Sequence, residues 1–168
     1  MKKLLFVLMM LVPGIGMAQI IKSDVVNSYD GSRMITTSAV RLTKCATVHF
    51  VTVVRKNRPT TTLCLYAGRN SAFTVLKGST LTIRTKEGNT RKLFADAMQF
   101  SEVSNNPDWP KFVVTAFYKV DLDFFKDETI TDMTMQTRDS AIDILNIEAK
   151  ASDKMRKCFE MIEKELEE

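Results

Sequence analysis

Lys111–Val120, KFVVTAFYKV, decides the fold class. Phe112, Val114, Ala116, Tyr118 and Val120 recur at period two, and all have apolar bodies. Lys111, Val113, Thr115, Phe117 and Lys119 form the opposite, mixed face. A stretch apolar on one side and half apolar on the other reads as a central strand with a core beneath it. The chain on either side supplies its neighbours: hairpins before it, a hairpin after it, then one amphipathic helix.

Toward the N terminus, Thr47–Arg55 and Thr60–Ala67 form a hairpin around Lys56-Asn57-Arg58-Pro59, with Pro59 at a strand start where its missing N–H is tolerated. With Asn57 and Arg58 at the tip, His49 falls opposite Tyr66, Val51 opposite Cys64 and Val53 opposite Thr62. Phe50, Val54, Leu63 and Leu65 then share the core side. Leu81–Lys86 and Thr90–Ala95 flank Glu87-Gly88-Asn89. Matching apolar residues sets Ile83 opposite Leu93 and Leu81 opposite Ala95, and places Arg84 opposite Lys92 on the outer face. An earlier hairpin, Val25–Tyr29 with Arg33–Ser38, turns at Asp30-Gly31.

Toward the C terminus, Asp121 is placed to cap a short helical turn over Leu122–Lys126, with Leu122 and Phe125 inward. Ile130–Thr137 and Ser140–Asn146 pair around Arg138-Asp139, and Met133 and Met135 face one way. The spacing predicts a helix over 148–166, because Ile147, Ala151, Met155, Cys158, Phe159, Ile162 and Leu166 make one stripe at helical period. Asn146 and Ser152 are alternative N-caps. Lys150, Lys154 and Lys157 take the wet side, and Glu165, Glu167 and Glu168 crowd the negative end of the helix dipole, which predicts a frayed tail. Strands followed by one helix, without βαβ alternation, give an α+β class that is mainly β. The expected architecture is a curved or barrel-like antiparallel sheet of about nine or ten strands covered by the C-terminal helix.

Residues 1–18 read as a cleaved secretory signal. Met1-Lys2-Lys3 is basic, Leu4–Val12 is an apolar run too short to span a bilayer, and Gly16-Met17-Ala18 offers small residues before Gln19. No cysteine lies at that junction, so the product is expected to be periplasmic or extracellular and not lipid-anchored. The remaining 150 residues, 19–168, suit a single domain without a transmembrane segment. They contain Cys45, Cys64 and Cys158, an odd count with no metal-knuckle spacing, and the helical and hairpin placements predict three reduced, largely buried thiols. In that register Cys45 faces position 70.

Charge is unevenly distributed. Residues 33–92 hold twelve Lys or Arg and one acid, Glu87, whereas residues 93–168 hold nine Lys or Arg and seventeen Asp or Glu. Two readings follow: the halves neutralise each other within the monomer, or the basic half meets an anionic partner. On the second, Arg55, Lys56 and Arg58 crowd one turn and Arg84 opposes Lys92. These five are the candidate ligand-binding residues, facing an acidic polysaccharide, lipid head groups or an acidic protein surface. Nucleic acid is not expected outside the cytoplasm.

Catalytic constellations are poorly represented. His49 is the one histidine, and no nucleophile elbow or glycine-rich oxyanion loop accompanies it or Cys64. No zinc set is apparent, and Asp121, Asp123, Asp127 and Glu128 lack calcium-loop spacing. They read as a cap and a solvated turn. Trp109, Tyr66 and Tyr118 are candidate sugar-stacking rings, against the plainer reading of Trp109 as a cover for the core edge. The arrangement resembles small exported bacterial domains of unknown function. The residues that carry this are the signal segment, Asp30-Gly31 followed by Thr36-Thr37-Ser38, Leu81-Thr82-Ile83 with Gly88, and the strand into Val120-Asp121-Leu122-Asp123 before two strands and a helix. The resemblance implies a non-catalytic role and transfers no site residues. The expectation is therefore an exported non-enzymatic binding module, without cofactor or metal. The alternatives are an apolar-ligand carrier, with a cavity lined by Phe117, Met133 and Met155 between sheet and helix, or an enzyme of unrecognised type.

Overall fold

Strands form where side chains alternate between core and solvent. In chain order they are β1 (Ile21–Val26), β2 (Arg33–Thr37), β3 (Val40–Thr43), β4 (Ala46–Arg55), β5 (Arg58–Arg69), β6 (Thr74–Val75) and β7 (Thr80–Thr85). They continue as β8 (Thr90–Phe94), β9 (Gln99–Phe100), β10 (Glu102–Val103), β11 (Phe112–Val120), β12 (Ile130–Gln136) and β13 (Ala141–Ile144). A 3-10 turn, Leu122–Phe125, follows β11, and one helix, α1 (Ala149–Glu167), closes the chain. This computed structural model describes residues 20–167, without the side chains of Leu122 and Phe124. The expected signal segment and the inward placement of Leu122 lie outside the described residues.

β11 pairs with β5 along its whole length, from Phe112 opposite Arg69 to Val120 opposite Thr61. Val114, Ala116, Tyr118 and Val120 are buried as the alternation requires, and Lys119 on the other face is exposed. The larger sheet runs β1-β2-β4-β5-β11-β10, with β3 beside β4 on the same edge as β2. The smaller runs β13-β12-β7-β8, and β6 pairs with β9 as a ribbon. A single bridge, Ala95 to Tyr118, joins the end of the smaller sheet to β11.

Two expectations are corrected by this topology. Among the described residues the strands number thirteen, not nine or ten. The strand expected over Arg33–Ser38 is β2, an unexpected β3 follows the break at Ser38-Ala39, and β9 and β10 are two-residue pieces too short to show alternation. The described sheets are also not closed into a barrel, because β1 and β13 remain edges.

The registers shift as well. Lys56 and Asn57 both adopt positive φ, 49° and 60°, so they form the two-residue tip and Arg55 pairs with Arg58. Such a tip matches the natural twist of the flanking strands, and Asn tolerates the left-handed region. His49 therefore sits opposite Cys64, not Tyr66, Val51 opposite Thr62, and Val53 opposite Thr60. A shift of two keeps every side chain on its expected face: Phe50, Leu63 and Leu65 are fully buried, and Val54 is half-buried. In the second hairpin the three-residue loop is Lys86-Glu87-Gly88, with Gly88 at φ 87° and Thr85 N–H donating to the Asn89 carbonyl at 3.1 Å. Leu81 then meets Leu93, and Ile83 meets Arg91.

α1 covers the inner face of the larger sheet. Phe159 packs on Phe50 with centroids 4.4 Å apart and on Phe125 at 4.8 Å. Met155, Phe159 and Ile162 are fully buried, while Cys158 and Ala151 retain only slight exposure. Neither proposed residue is the cap. Ser152 lies inside the helix, where its Oγ accepts the Ile130 N–H at 2.9 Å, and Asn146 turns the chain before it at φ 56°. Asp121 likewise makes no side-chain cap to the 3-10 turn. The helix tail is held and not left frayed: Arg33 donates to the Glu165 carbonyl at 2.6 Å and to its carboxylate at 3.1 Å, while also binding Asp24 at 2.6 Å. Cys64 and Cys158 are buried free thiols as expected, but Cys45 is exposed, because its carbonyl meets Gly68 N–H at the strand entry and the side chain stays outside the core. No helix among the described residues is long and apolar enough to cross a membrane.

Candidate functional site

Alternation in β3 sends Val40 and Leu42 into the core and leaves Arg41 exposed. The chain then turns through Lys44 and Cys45, with Cys45 N–H donating to Thr43 Oγ1 at 3.3 Å. Across from this turn stands the beginning of α1. Its core stripe takes Ala151 and Met155 inward, which leaves Lys150 and Lys154 at the edge of the stripe. Four residues apart, the two lysines are neighbours on one helix face, separated by about 6 Å along the axis. The Leu145-Asn146 segment, just before α1, also lines the space between them. Together these elements enclose an open cleft of ≈ 570 Å³ lined by Arg41, Lys44, Lys150 and Lys154, with one carboxylate, Glu148.

Among the described residues none of these four cations makes an ion pair. The Arg41 Nε donates to the Thr43 carbonyl at 3.2 Å, which orients the guanidinium and leaves both terminal nitrogens without a partner among the described residues. Like charges around one concavity raise its potential and concentrate anions there. The wider charge pattern agrees. Of the twelve cations in residues 33–92, only Arg33 is ion-paired among the described residues, so direct contacts do not neutralise the basic half against the acidic one.

The residues singled out from sequence are arranged differently. Arg55, Lys56 and Arg58 do gather, at the exposed tip of the β4–β5 hairpin, where Arg55 directly opposes Arg58. The Arg55 charge reaches Asp30, whose carboxyl is held below the usual range chiefly by hydrogen bonds from Ser32. Arg84 and Lys92 do not oppose each other. Arg84 lies between Thr90 and Asp132, and Lys92 lies opposite Thr82. The like-charge strain expected between them is absent because the glycine-closed loop begins one residue earlier than the apolar match suggested. A hairpin tip is convex and encloses nothing, whereas the cleft is concave. Lys150 and Lys154 read in sequence only as a wet helix face. The available signal was their like-charge i,i+4 spacing, which costs helix stability unless something else uses it.

Among the described residues the other constellations do not converge on a common site. Burial pushes the Cys64 thiol up to about 11, and desolvation, with the Lys22 charge second, lowers the His49 imidazole. Burial thus disfavours both the thiolate and the imidazolium of this cross-strand pair, the reverse of the lowered thiol pKa that activates a nucleophilic cysteine. In the acidic segment Lys126 binds Asp123 at 2.6 Å and Glu163 at 2.7 Å, and Glu128 accepts from Asn89 at 3.0 Å. Among the described residues no three metal-ligating side chains come together. Trp109 and Tyr66 pack edge to face at 4.7 Å, both half-buried, while Tyr118 is fully buried and unavailable to a sugar. Met133 and Met155 are fully buried in the core, and Phe117 lies on the outer sheet face, so the three do not line one cavity. Compared with known protein families, curated proteins and solved structures, the chain matches none.

Proposed function

We propose that this chain is an exported, non-enzymatic binding module for an anionic partner of the bacterial envelope, and that Arg41, Lys44, Lys150 and Lys154 make the contact. The observation that carries this is a concave site with four cations, none ion-paired among the described residues. Export rests on the basic start, short apolar run and small-residue junction of residues 1–18. A concavity of this size favours a polysaccharide unit or a lipid head group over a flat acidic protein face. Arg55, Lys56 and Arg58 add a second, weaker basic point at the hairpin tip.

The test compares two triple variants of equal charge change on an anionic polymer resin eluted with salt. Arg41→Gln, Lys150→Gln, Lys154→Gln is expected to elute at clearly lower salt than Arg55→Gln, Lys56→Gln, Arg58→Gln. Equal shifts would show that both sets are ordinary surface charge and would remove the site.

A further inference from the structure

We propose that the ligand of the cleft is a phosphate ester carrying free hydroxyls, a phosphosugar or a sugar-like phosphorylated head group. This rests on the cleft being the binding site, as argued above. The first argument is charge number. Four cations against one carboxylate leave an excess of three positive charges in one concavity. A monocarboxylate offsets one of them, whereas a phosphomonoester carries about −1.5 to −2 near neutral pH and offers three acceptor oxygens.

The second argument is geometry. The Arg41 guanidinium is oriented through its Nε and presents both terminal nitrogens, the planar fork that matches two oxygens of one phosphate. Lys150 and Lys154 line the same cleft from α1 and contribute point charges. A planar fork and two point charges from separate elements suit a tetrahedral group better than a flat carboxylate.

The third argument is Glu148. A site built for a bare anion gains nothing from a carboxylate in its lining. Glu148 makes no side-chain hydrogen bond or ion pair among the described residues, and it repels phosphate while accepting from hydroxyl donors. Asn146 beside it offers both a donor and an acceptor. The lining therefore has a phosphate part, Arg41 with Lys150 and Lys154, and a hydroxyl part, Glu148 with Asn146. Inorganic phosphate uses only the first.

The protein side of the cleft contains no histidine, the single one being His49 on the larger sheet. The phosphate's own second ionisation, near pH 6, therefore dominates the pH dependence of binding between pH 5.5 and 7.5.

The experiment is isothermal titration of the purified chain with glucose 6-phosphate, glucuronate, glucose 6-sulfate and inorganic phosphate. Flotation with vesicles containing phosphatidylinositol 4-phosphate, whose head group is a hydroxyl-bearing phosphomonoester, forms a second arm. Glucose 6-phosphate is expected to bind at least ten-fold more tightly than glucuronate and inorganic phosphate, and to strengthen from pH 5.5 to 7.5 while glucose 6-sulfate does not. Lys150→Gln with Lys154→Gln should weaken it at least ten-fold, whereas Lys157→Gln, on the same helix outside the cleft, should leave it unchanged. Glu148→Gln should narrow the preference for glucose 6-phosphate over inorganic phosphate. Vesicle flotation lost in the lysine pair variant would assign the phosphate to a lipid head group; titration without flotation would assign it to a free phosphosugar. Glucuronate binding as tightly as glucose 6-phosphate would overturn the phosphate assignment and keep the anion site. Failure of every anion to bind, together with equal resin shifts for the two triple variants, would overturn the site itself.

Discussion

The two faces of β4, β5 and β11 differ more in what lies over them than in their sequence. On the inner face Phe50, Leu63, Leu65, Ala116 and Tyr118 are fully buried, and α1 reaches this face where Phe159 packs on Phe50. On the outer face His49, Val51, Thr62, Thr115 and Phe117 alternate with them along the same strands and stay half-buried. Both faces are rich in β-branched and apolar side chains, as strands of this length require. Alternation thus assigns each residue to a face, but only what packs over that face makes it the core. If the comparison is sound, substitutions on the inner face should be costly, and those on the outer face cheap except where the chain itself folds over it.

The largest effect is expected at Phe159, which lies between Phe50 and Phe125 with no exposed surface. Phe159→Ala should destabilise by about 3–5 kcal/mol, the range for emptying an aromatic site in a packed core. Chemical denaturation against Lys157→Ala, on the wet side of the same helix, measures it. Equal midpoints would mean that α1 is peripheral and the inner face is not the core.

The success of the face assignment in sequence, despite wrong registers, follows from the same period. The β4–β5 tip moved from Asn57-Arg58 to Lys56-Asn57, which shifts the pairing by two and preserves parity. The β12–β13 hairpin paired as expected, Gln136 with Ala141, because Thr137 and Ser140 close the turn around Arg138-Asp139. The α1 stripe was legible because core positions recur at helical spacing over 19 residues. The cleft was not legible. Its cations come from β3 and α1, more than a hundred residues apart in sequence, and periodicity says nothing about which exposed residues of distant elements meet. β3 itself was missed because the break at Ser38-Ala39 resets the alternation.

An exception to the cheap outer face is Gly68, which pairs with Val113 where β5 lies beside the start of β11. A Cβ there would lie 2.6 Å from the Phe112 carbonyl oxygen and 2.9 Å from Val113 Cγ1. Backbone cannot yield as a flexible side chain does, so Gly68→Ala should cost about 1–3 kcal/mol by overpacking. A melting temperature equal to that of the parent would show that the β5–β11 pairing opens freely at this end.

The inner face has an exception in the opposite direction. Tyr118 is fully buried, burial pushes its phenol upward, and its Oη has no hydrogen-bond partner among the described residues. An unsatisfied buried hydroxyl carries a desolvation penalty, so Tyr118→Phe should leave stability unchanged or raise it by up to about 1 kcal/mol. A loss larger than 1 kcal/mol would identify a partner for the hydroxyl and make this position an anchoring one.

The smallest effect concerns His49 on the outer face, and its sign is fixed by the burial of the ring. Desolvation first and the Lys22 charge second lower its pKa below the ordinary 6.5 in the folded chain. As pH falls below 6.5 the unfolded chain takes up a proton at this position before the folded chain does, so stability present above 6.5 is lost as pH falls through the folded pKa. The carboxyls of Asp24 and Asp30 are also held low, below an ordinary value of 3.8, and act in a more acidic window. Between pH 7.5 and 5 the histidine effect can therefore be read by itself. The ring is only half-buried, so the loss should be modest. His49→Gln should flatten the dependence of the denaturation midpoint on pH in this window, and Lys22→Gln should reduce it in part by removing the second cause. An unchanged slope in His49→Gln would mean that the ring is as well solvated in the folded chain as in the unfolded one, and that the outer face is more open than its half-buried side chains indicate.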